Sequence, residues 1–442
     1  MNINPEFRRN LWLELTPSRL VGMPLVLGVF FFLAYTMDDK QYGASVASTA
    51  LTLFGLLAFL WGVRLASETL ISELRDHTWD GQRMSVIGPW SMTWGKLLGS
   101  TIYPWYGALI CLLVYLTSQP SLGLSLIETA VLLVGSGLLG QAVGLLSSLQ
   151  AIRKNQRYGR LQTTIFLVLG ISCSLSLLNW PFEKASGVLW YNQSYRDEQF
   201  VLVSLVVFLA WTVFGIYRLL RTELQLRSQP WAWGLFVCFL MVYVAGFLND
   251  GSMIDGQSIQ QHRLLGAFIV SIILAYAMIF CESKDPVAFR RLLEFLGRCE
   301  WSKAMESFPL WLMTLPFVIL TCLFLIGMSF SSASIDEARQ ISISAMAMVL
   351  FLLRDFGIML FLNFGRIPKR ADMLTLLFLF LLYGAIPTIL TALDLDSLAG
   401  CFWPVPRIPA EVILPAALFQ AIVMLWLVAK RWRHNLQMSS LS

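Results

Sequence analysis

Long apolar runs separated by short polar segments form the dominant pattern of this 442-residue chain. An α-helix needs roughly 20 residues to cross a hydrocarbon core about 30 Å thick. Twelve segments approach that length, and each is predicted to span a membrane: 20–37, 44–66, 97–117, 124–149, 161–180, 199–220, 231–248, 264–282, 309–330, 341–364, 372–393 and 410–429. The pattern therefore predicts an all-α polytopic membrane protein.

Composition supports this interpretation. Hydrophobic residues make up 57% of the chain and charged residues 13%, and the mean hydropathy is +0.67. A soluble protein carries about 25% charged residues, so this chain has too few charges to build a soluble globular surface. The net charge of +5 does not indicate a nucleic-acid partner, because the basic residues lie in short clusters between the apolar runs.

Lys and Arg residues are distributed unevenly between the two sides of the predicted bundle. If the N-terminus is cytoplasmic and the spans alternate, 25 of the 32 Lys and Arg residues fall in cytoplasmic segments and six in outer segments. Cytoplasmic loops carry such an excess in membrane proteins. Both termini are therefore predicted in the cytoplasm. The first apolar run lacks a cleavage pattern and is expected to remain as the first span.

The chain shows an internal repeat at an offset near 213 residues. The segment LLGQAVGLL (138–146) matches LLRDFGIML (352–360), and a basic turn follows each of them. We therefore predict two six-span halves, 1–228 and 229–442, arranged as parallel repeats about an axis normal to the membrane.

Three segments on the predicted cytoplasmic side are expected to contain short amphipathic helices. In the first, 4–16, Asn4 can cap a helix whose first residue is Pro5. The other two are the loop 68–96 and the segment 283–308. Such elements either lie flat on the membrane or present a charged ridge to a soluble partner, and the pattern allows both.

Arg354 and Asp355 are the clearest ionisable residues inside a predicted span, roughly 15 Å from its cytoplasmic end. Charge at that depth is expensive unless it is paired or hydrated, so both are expected to face the bundle interior. Adjacent helix positions diverge by about 100°, and a direct pair between the two is therefore not expected. They either line a translocation path, together with Gln141 in the matching span, or form structural ion pairs with neighbouring helices.

The sequence contains no constellation for catalysis, a metal ion or a nucleotide. The three histidines lie in different loops, and the seven cysteines are scattered without a CxxC spacing. Gly95-Lys96 does not end a phosphate-binding loop, because Leu97 follows it and Trp90 stands where that motif needs glycine. No catalytic residue, metal ligand or cofactor is therefore expected in this chain.

The cytoplasmic segment ELRDHTWDGQRMSVIGPWSMTWGK (73–96) resembles the signature of ABC-2 exporter permeases. In that family a Glu ends the second span, a Gly-Thr-acid piece and a small-Pro-x-Ser turn follow, and Gly-Lys opens the third span. Asn4-Pro5 with Arg8 is also similar to the family's opening. Two positions depart from the pattern: His77 stands where the family often has Gly, and Arg83 stands where an apolar residue is common.

The resemblance implies the permease subunit of an ATP-binding-cassette exporter in a bacterial inner membrane, with ATP and Mg bound by a separate ATPase subunit. Family members work with two six-span units, so a twelve-span chain resembles a fused pseudo-dimer. The ATPase, expected as a dimer, would dock between spans two and three; membrane lipids and further permease or accessory subunits are the other expected partners. The implied coupling residues are Glu73, Arg75, Asp76, Thr78, Trp79, Asp80 and Arg83, with Arg290, Arg291 and Glu294 in the second half.

Two other functions fit the same pattern. Twelve spans in two halves also suit a secondary transporter powered by an ion gradient, although Asp355 alone offers a mid-span acidic group for a proton relay. A non-transporting membrane scaffold is the third hypothesis. Transport that survives ATP depletion but collapses with an uncoupler would favour the secondary transporter, whereas an ATP-binding-cassette partner would favour the exporter.

Overall fold

The computed structural model describes residues 4–38, 42–118, 125–153, 160–178, 187–227, 229–247, 259–330, 335–365, 370–402 and 410–441. Within these residues the chain is mainly helical and divides into two compact units. Unit 1 comprises 1–188 and 193–228, and unit 2 comprises 189–192 and 229–442. The short segment that belongs to unit 2 is the tip of a β-hairpin formed by β1 (Val188–Trp190) and β2 (Gln193–Tyr195).

Unit 1 consists of ten helices in chain order among the described residues. They are α1 (Pro5–Glu14), α2 (Pro17–Met37), α3 (Ala44–Phe54), α4 (Gly62–Arg75), α5 (Trp79–Arg83), α6 (Pro89–Gly99), α7 (Ile102–Thr117), α8 (Leu126–Arg153), α9 (Arg160–Leu178) and α10 (Asp197–Glu223). A π-helical segment, Gly55–Trp61, joins α3 to α4 without interrupting the span. Helix α8 packs against α4, α9 and α10 and is the centre of the unit.

Unit 2 consists of a second series of ten helices in its described part. They are α11 (Trp231–Ala245), α12 (Ile259–Cys281), α13 (Pro286–Gly297), α14 (Trp301–Glu306), α15 (Leu310–Ser329), α16 (Ile335–Asn363), α17 (Ala371–Phe380), α18 (Ile386–Ala392), α19 (Asp396–Ala399) and α20 (Ala410–Leu441). A π-helical segment, Leu381–Ala385, joins α17 to α18. Helix α16 packs against α15, α17 and α20.

Nine helices of the described residues are long and apolar enough to cross a membrane. They are Pro17–Met37, Ala44–Arg75, Leu126–Arg153, Asp197–Glu223, Ile259–Cys281, Leu310–Ser329, Arg339–Asn363, Ala371–Ala392 and Val412–His434. Each of them coincides with one of the twelve predicted segments. The protein is therefore a multi-pass, all-α membrane protein.

The remaining three predicted spans are helical but differ from single straight spans. The segment 97–117 is divided between α6 and α7, which are bent by 55° at their junction and form a tenth span only if counted together. Helix α11 has 15 residues and is about 22 Å long, which is less than the hydrocarbon thickness. In α9 the described apolar stretch is Thr164–Ser176, which is shorter than a helix that spans a membrane. The count of twelve stays a prediction.

Local sequence explains where the amphipathic helices begin. Asn4 Oδ1 accepts a hydrogen bond from the Glu6 N–H at 3.1 Å, and Pro5 is the first residue of α1, as expected. Asp285 Oδ1 accepts from the Val287 N–H at 3.0 Å, and Pro286 begins α13 in the same way. Both starts use a side-chain acceptor to satisfy a free helix N–H and a proline where no donor is needed.

Candidate functional site

The loop between α4 and α6 begins with a tight helix termination. The Thr78 N–H donates to the Glu73 carbonyl at 2.9 Å, and the His77 N–H donates to the Leu74 carbonyl at 3.3 Å. His77 has φ of 55°, in the left-handed region. This is the Schellman arrangement, in which the left-handed residue is most often glycine. The turn reverses the chain and places Trp79 at the start of α5.

A buried ionic cluster lies behind this turn and joins three helices. Lys96 of α6 is fully buried, and its Nζ donates to Glu73 Oε2 at 2.5 Å and to Gln82 Oε1 at 2.8 Å. Gln82 Nε2 in turn donates to Glu73 Oε1 at 2.9 Å. Because the ammonium and the carboxylate satisfy each other directly, α4, α5 and α6 are held together at this point.

Helix α1 contributes a second carboxylate and a second cation to the cluster. Glu6 Oε1 lies 3.6 Å from Lys96 Nζ, while Arg9 approaches Glu6 Oε2 at 3.7 Å and Glu73 Oε1 at 3.8 Å. Two carboxylates therefore face two cations. The Trp79 ring completes the enclosure, since its centroid lies 5.1 Å from Lys96 Nζ.

Gly95 permits the close approach of α1 to α6. A Cβ at this position would lie 2.6 Å from Glu6 Cβ, which is closer than real Cβ contacts. Asn4 Nδ2 also donates to the Ser91 carbonyl at 2.5 Å, so the first helix is attached to α6 at two places. The Gly95-Lys96 pair therefore has a structural role: glycine makes room for α1, and lysine neutralises the buried carboxylates.

The seven predicted coupling residues of unit 1 separate into two groups. Glu73 and Trp79 are buried in the cluster just described. The other five form the outer surface of the loop, where Arg83 is partly exposed and the rest are exposed: Arg75, Asp76, Thr78, Asp80 and Arg83. Asp80 and Arg83 lie on one face of α5, with Oδ1 and Nη1 3.9 Å apart. A soluble partner could therefore contact this outer group but not Glu73 or Trp79.

The predicted coupling residues of unit 2 lie on the exposed face of α13. Arg290, Arg291 and Glu294 are exposed, and Arg290 Nε lies 3.2 Å from Glu294 Oε1. On the opposite face Leu292 is buried, and Phe289 packs edge-on against Phe364. The helix is amphipathic, as its sequence predicts.

Arg354 and Asp355 are paired with each other, contrary to the sequence expectation. Both residues are 2% exposed, and Arg354 Nε donates to Asp355 Oδ1 at 2.8 Å. The expectation considered only the angle between adjacent Cβ atoms. The arginine side chain is long and flexible enough for its Nε to reach the carboxylate of the next residue.

Residues from three other helical segments complete the polar environment of this pair. Tyr276 and Tyr383 donate their hydroxyls to Asp355 Oδ2 at 2.6 and 2.5 Å. Arg354 Nη1 donates to Gln420 Oε1 at 2.8 Å, and Gln420 Nε2 donates to the Cys401 carbonyl at 2.7 Å. The expected interior location of the pair is confirmed, and the two opposite charges contact each other directly.

Gln141 lies in unit 1, and both ends of its amide have a local partner. Its Oε1 accepts from Trp105 Nε1 at 2.8 Å, and its Nε2 donates to the Ala58 carbonyl at 3.0 Å. Ala58 belongs to the π-helical segment that joins α3 to α4, and such segments are frequent at functional sites. Gln141, Arg354 and Asp355 are thus buried polar groups of two separate clusters, and their place on a translocation path stays a prediction.

Several members of both clusters were missed by the sequence reasoning. In unit 1 these are Glu6, Gln82 and Lys96, and in unit 2 they are Tyr276, Tyr383 and Gln420. Lys96 had a usable signal, because a lysine directly before an apolar span and next to a glycine is expected to need a counter-charge if the helix packs closely there. The two tyrosines had none, since an apolar span with a tyrosine is also compatible with an aromatic residue at the membrane interface.

Neither chemistry nor similarity to known proteins assigns a function directly. Within the described residues, no group of three or more His, Cys, Asp or Glu side chains could hold a metal ion. A scan against protein-family models, a search of curated proteins and a search of solved structures find no match to this chain.

Proposed function

We propose that this chain is the permease subunit of an ATP-driven exporter and that it docks a separate ATP-binding-cassette ATPase through the loop 73–96. In this proposal the chain has twelve spans with both termini in the cytoplasm of a bacterial inner membrane. The ATPase acts as a dimer and binds ATP and Mg, and the permease contributes no catalytic residue.

The observation that carries this proposal is the construction of the loop. Hydrogen bonds join Glu73, Gln82 and Lys96, which are distant in sequence, and hold the two ends of the loop together. We call these three residues the lock. The charged residues outside this lock remain available on α5 and on the turn before it. A rigid base with an exposed charged surface is what a docking element needs, since force applied to the surface is passed to the helices behind it.

Some of the residues that carry the family resemblance help to build this lock. Glu73 and Gly95-Lys96 are signature positions, and here they contact each other and α1. His77, which departs from the glycine that the family often has, adopts the left-handed conformation that glycine adopts without strain. This agreement between backbone geometry and signature supports the assignment to the exporter permeases.

The lock also suggests how ATP hydrolysis would drive transport. Closure of the ATPase dimer would displace α5, and the Glu73–Lys96 contact would transmit the movement to α4 and α6 together. Helix α4 continues a membrane span, and α6 leads through the 55° bend into α7. Displacement of both helices would change the packing of unit 1 and so alternate access to the substrate path.

A charge exchange on α5 tests the docking surface without disturbing the lock. The variant Asp80→Arg/Arg83→Glu keeps an opposite-charge pair on the helix but exchanges the positions of the negative and positive charges that a partner would contact. We expect association with the ATPase to weaken about tenfold and transport-coupled ATP hydrolysis to fall, because complementary charge guides such interfaces. Co-purification from the native membrane and ATPase assays of the reconstituted complex measure these effects.

Two controls make the result specific. Exchange of the exposed pair Arg19–Glu14, whose Nη1 and Oε2 are 2.5 Å apart near the start of α2, should leave association unchanged. Exchange of Arg290 with Glu294 on α13 reports whether the second unit also docks the ATPase. Unchanged association in the α5 variant would contradict the docking site, and the absence of any ATP-binding-cassette partner would contradict the function.

One observation keeps the secondary transporter as a second candidate. Asp355 is a buried carboxylate with two tyrosine hydroxyls on Oδ2, and such groups occur in proton relays. Its direct pair with Arg354 argues against a proton relay, because a neutral Asp355 would leave the buried arginine without this counter-ion. Transport by reconstituted vesicles that depends on a proton gradient and needs no ATP would decide for this alternative.

A further inference from the structure

The guanidinium of Arg354 has one edge that no group of the described chain satisfies. Its Nε and Nη1 donate to Asp355 and Gln420, whereas the buried Nη2 has no hydrogen-bond acceptor in the described structure. Arginine stays protonated in proteins, so both N–H groups of Nη2 remain donors. A buried charged donor without an acceptor is unfavourable, and its presence indicates an acceptor that is not part of the described chain.

The surroundings of Arg354 favour a negatively charged acceptor. Asp355 is the counter-ion, but its charge is shared among three hydrogen bonds, from Arg354, Tyr276 and Tyr383. The rings of Phe351 and Tyr383 lie 4.7 and 5.0 Å from the guanidinium carbon and cover it. The guanidinium is therefore held in place by its polar partners and by the two rings, and its Nη2 edge is a pair of charged donors, a geometry that suits an oxygen of a phosphate or carboxylate.

The helices around this site indicate that the ligand has an apolar part. Tyr383 belongs to the π-helical segment between α17 and α18, where regular helical hydrogen bonding is interrupted. Along the described span 371–392 only Ala371 and Thr375 are buried, and the apolar side chains of Met373, Leu376, Leu377 and Phe380 are exposed, so one part of the helix surface is available to lipid. A helix that packs on so little of its surface can move aside, and a molecule in the bilayer can then reach Arg354 laterally.

The geometry points to Arg354 as the binding group for the acidic headgroup of an amphipathic molecule that enters unit 2 from the bilayer. This inference rests on the proposed function only in treating that molecule as the transported substrate. Nη2 holds one oxygen of the headgroup, and the apolar surface beside α17 and α18 accommodates the chains.

Lipid binding to the purified full chain tests this inference without an ATPase or ATP. Native mass spectrometry compares retention of phosphatidylglycerol with that of phosphatidylcholine of the same acyl chains, with and without inorganic phosphate. We expect the wild-type chain to prefer the acidic lipid. The double variant Arg354→Met/Asp355→Asn should lose this preference, with affinity for phosphatidylglycerol falling about tenfold to a hundredfold.

Two further variants keep the test interpretable. The double variant described above removes both charges together, so it leaves no unpaired buried charge. The first further variant, Arg354→Lys, retains the positive charge but loses the two-donor edge, so its affinity for phosphatidylglycerol should be intermediate. The control is Arg290→Met/Glu294→Gln, which removes another ion pair of unit 2, on α13, with Nε and Oε1 3.2 Å apart, and should keep the preference.

Three results would overturn the inference. The wild-type chain could show no preference for the acidic lipid, which is the result expected if water satisfies Nη2. Both Arg354 variants could bind phosphatidylglycerol as the wild type does. Inorganic phosphate at equal concentration could displace the lipid, which would mean that the site takes a soluble anion. Absence of an ATPase partner would end the exporter proposal but would leave a positive lipid result standing.

Discussion

The loop between α4 and α6 in unit 1 and the segment between α13 and α15 in unit 2 follow the same succession of backbone features. Each begins with a helix that ends in a left-handed residue, His77 with φ of 55° or Cys299 with φ of 56°. Two residues later, Trp79 or Trp301 begins a short helix. A proline then marks the start of the next helix: Pro89 is the first residue of α6, and Pro309 lies directly before α15.

The hydrogen bonds of the two turns align them residue by residue. The Thr78 N–H donates to the Glu73 carbonyl at 2.9 Å, and the Glu300 N–H donates to the Phe295 carbonyl at 3.0 Å. Glu73 and Phe295 are therefore equivalent. Helix α14, rather than α13, is the counterpart of α5, and the predicted contacts of the second half on α13 lie before the turn.

The side chains behind these turns differ completely. Trp79 is 3% exposed against the buried Glu73–Lys96 cluster, whereas Trp301 is 66% exposed. In unit 2 the carboxylate of Glu282 binds the start of α15 instead. Its Oε2 accepts hydrogen bonds from the Leu310 N–H at 2.8 Å and the Trp311 N–H at 3.2 Å. Local turn chemistry thus determines the path of the backbone, and distant polar partners determine whether its tryptophan is buried.

The largest expected effect comes from breaking the buried cluster of unit 1. Lys96→Met should lower the free energy of unfolding by about 3–5 kcal/mol, because it leaves buried carboxylates without their counter-ion. Denaturant unfolding of the purified chain followed by circular dichroism measures the loss. Glu73→Gln/Lys96→Met, which removes both charges, should lose less. A loss below about 1 kcal/mol, the value of an exposed pair, would show that the cluster does not hold the loop.

The two tryptophans give a direct comparison between the loops. Trp79→Ala should destabilise the protein by about 3–5 kcal/mol, since it opens a cavity beside Lys96. Trp301→Ala removes an exposed ring and should change stability by no more than about 0.5 kcal/mol. The same unfolding measurement applies to both variants. Equal losses would contradict the difference in burial on which the comparison depends.

The smallest effect should be the same in both loops. His77→Gly and Cys299→Gly place glycine at a left-handed position, and each should stabilise the protein by up to about 1 kcal/mol. Thermal unfolding should therefore shift slightly upward for either variant. Ala substitutions at the same positions, which keep the strain, are the controls. Destabilisation by one glycine and not by the other would mean that the two turns are not equivalent.

The positions of most membrane-spanning helices could be predicted from sequence because hydropathy and helix length are local quantities. Nine of the twelve predicted segments coincide with helices of spanning length, and the capping of α1 by Asn4 is confirmed. The segments that differ depend on neighbours: the bend between α6 and α7 has no unique signal in the apolar run 97–117. Packing, not composition, determines such a break.

The polar clusters were the least predictable features. The sequence predicts that Arg354 and Asp355 lie inside the bundle, but the angle between adjacent helix positions does not predict their contact, because it leaves out the reach of the arginine side chain. The sequence also predicts Glu73 on a docking surface, whereas the carboxylate is buried against Lys96. In both cases the missing information was which distant side chains supply the counter-charge and the hydrogen bonds.

The sequence alone determined that this protein is an all-α, multi-pass membrane protein with charged loops between its spans, because each of these properties depends on residues close together in the chain. Only the tertiary structure decided that Glu6, Glu73, Gln82 and Lys96 form one buried cluster and that Arg354 keeps an unsatisfied donor edge. Buried charges are tolerated only with specific partners, and those partners come from helices that are far apart in sequence.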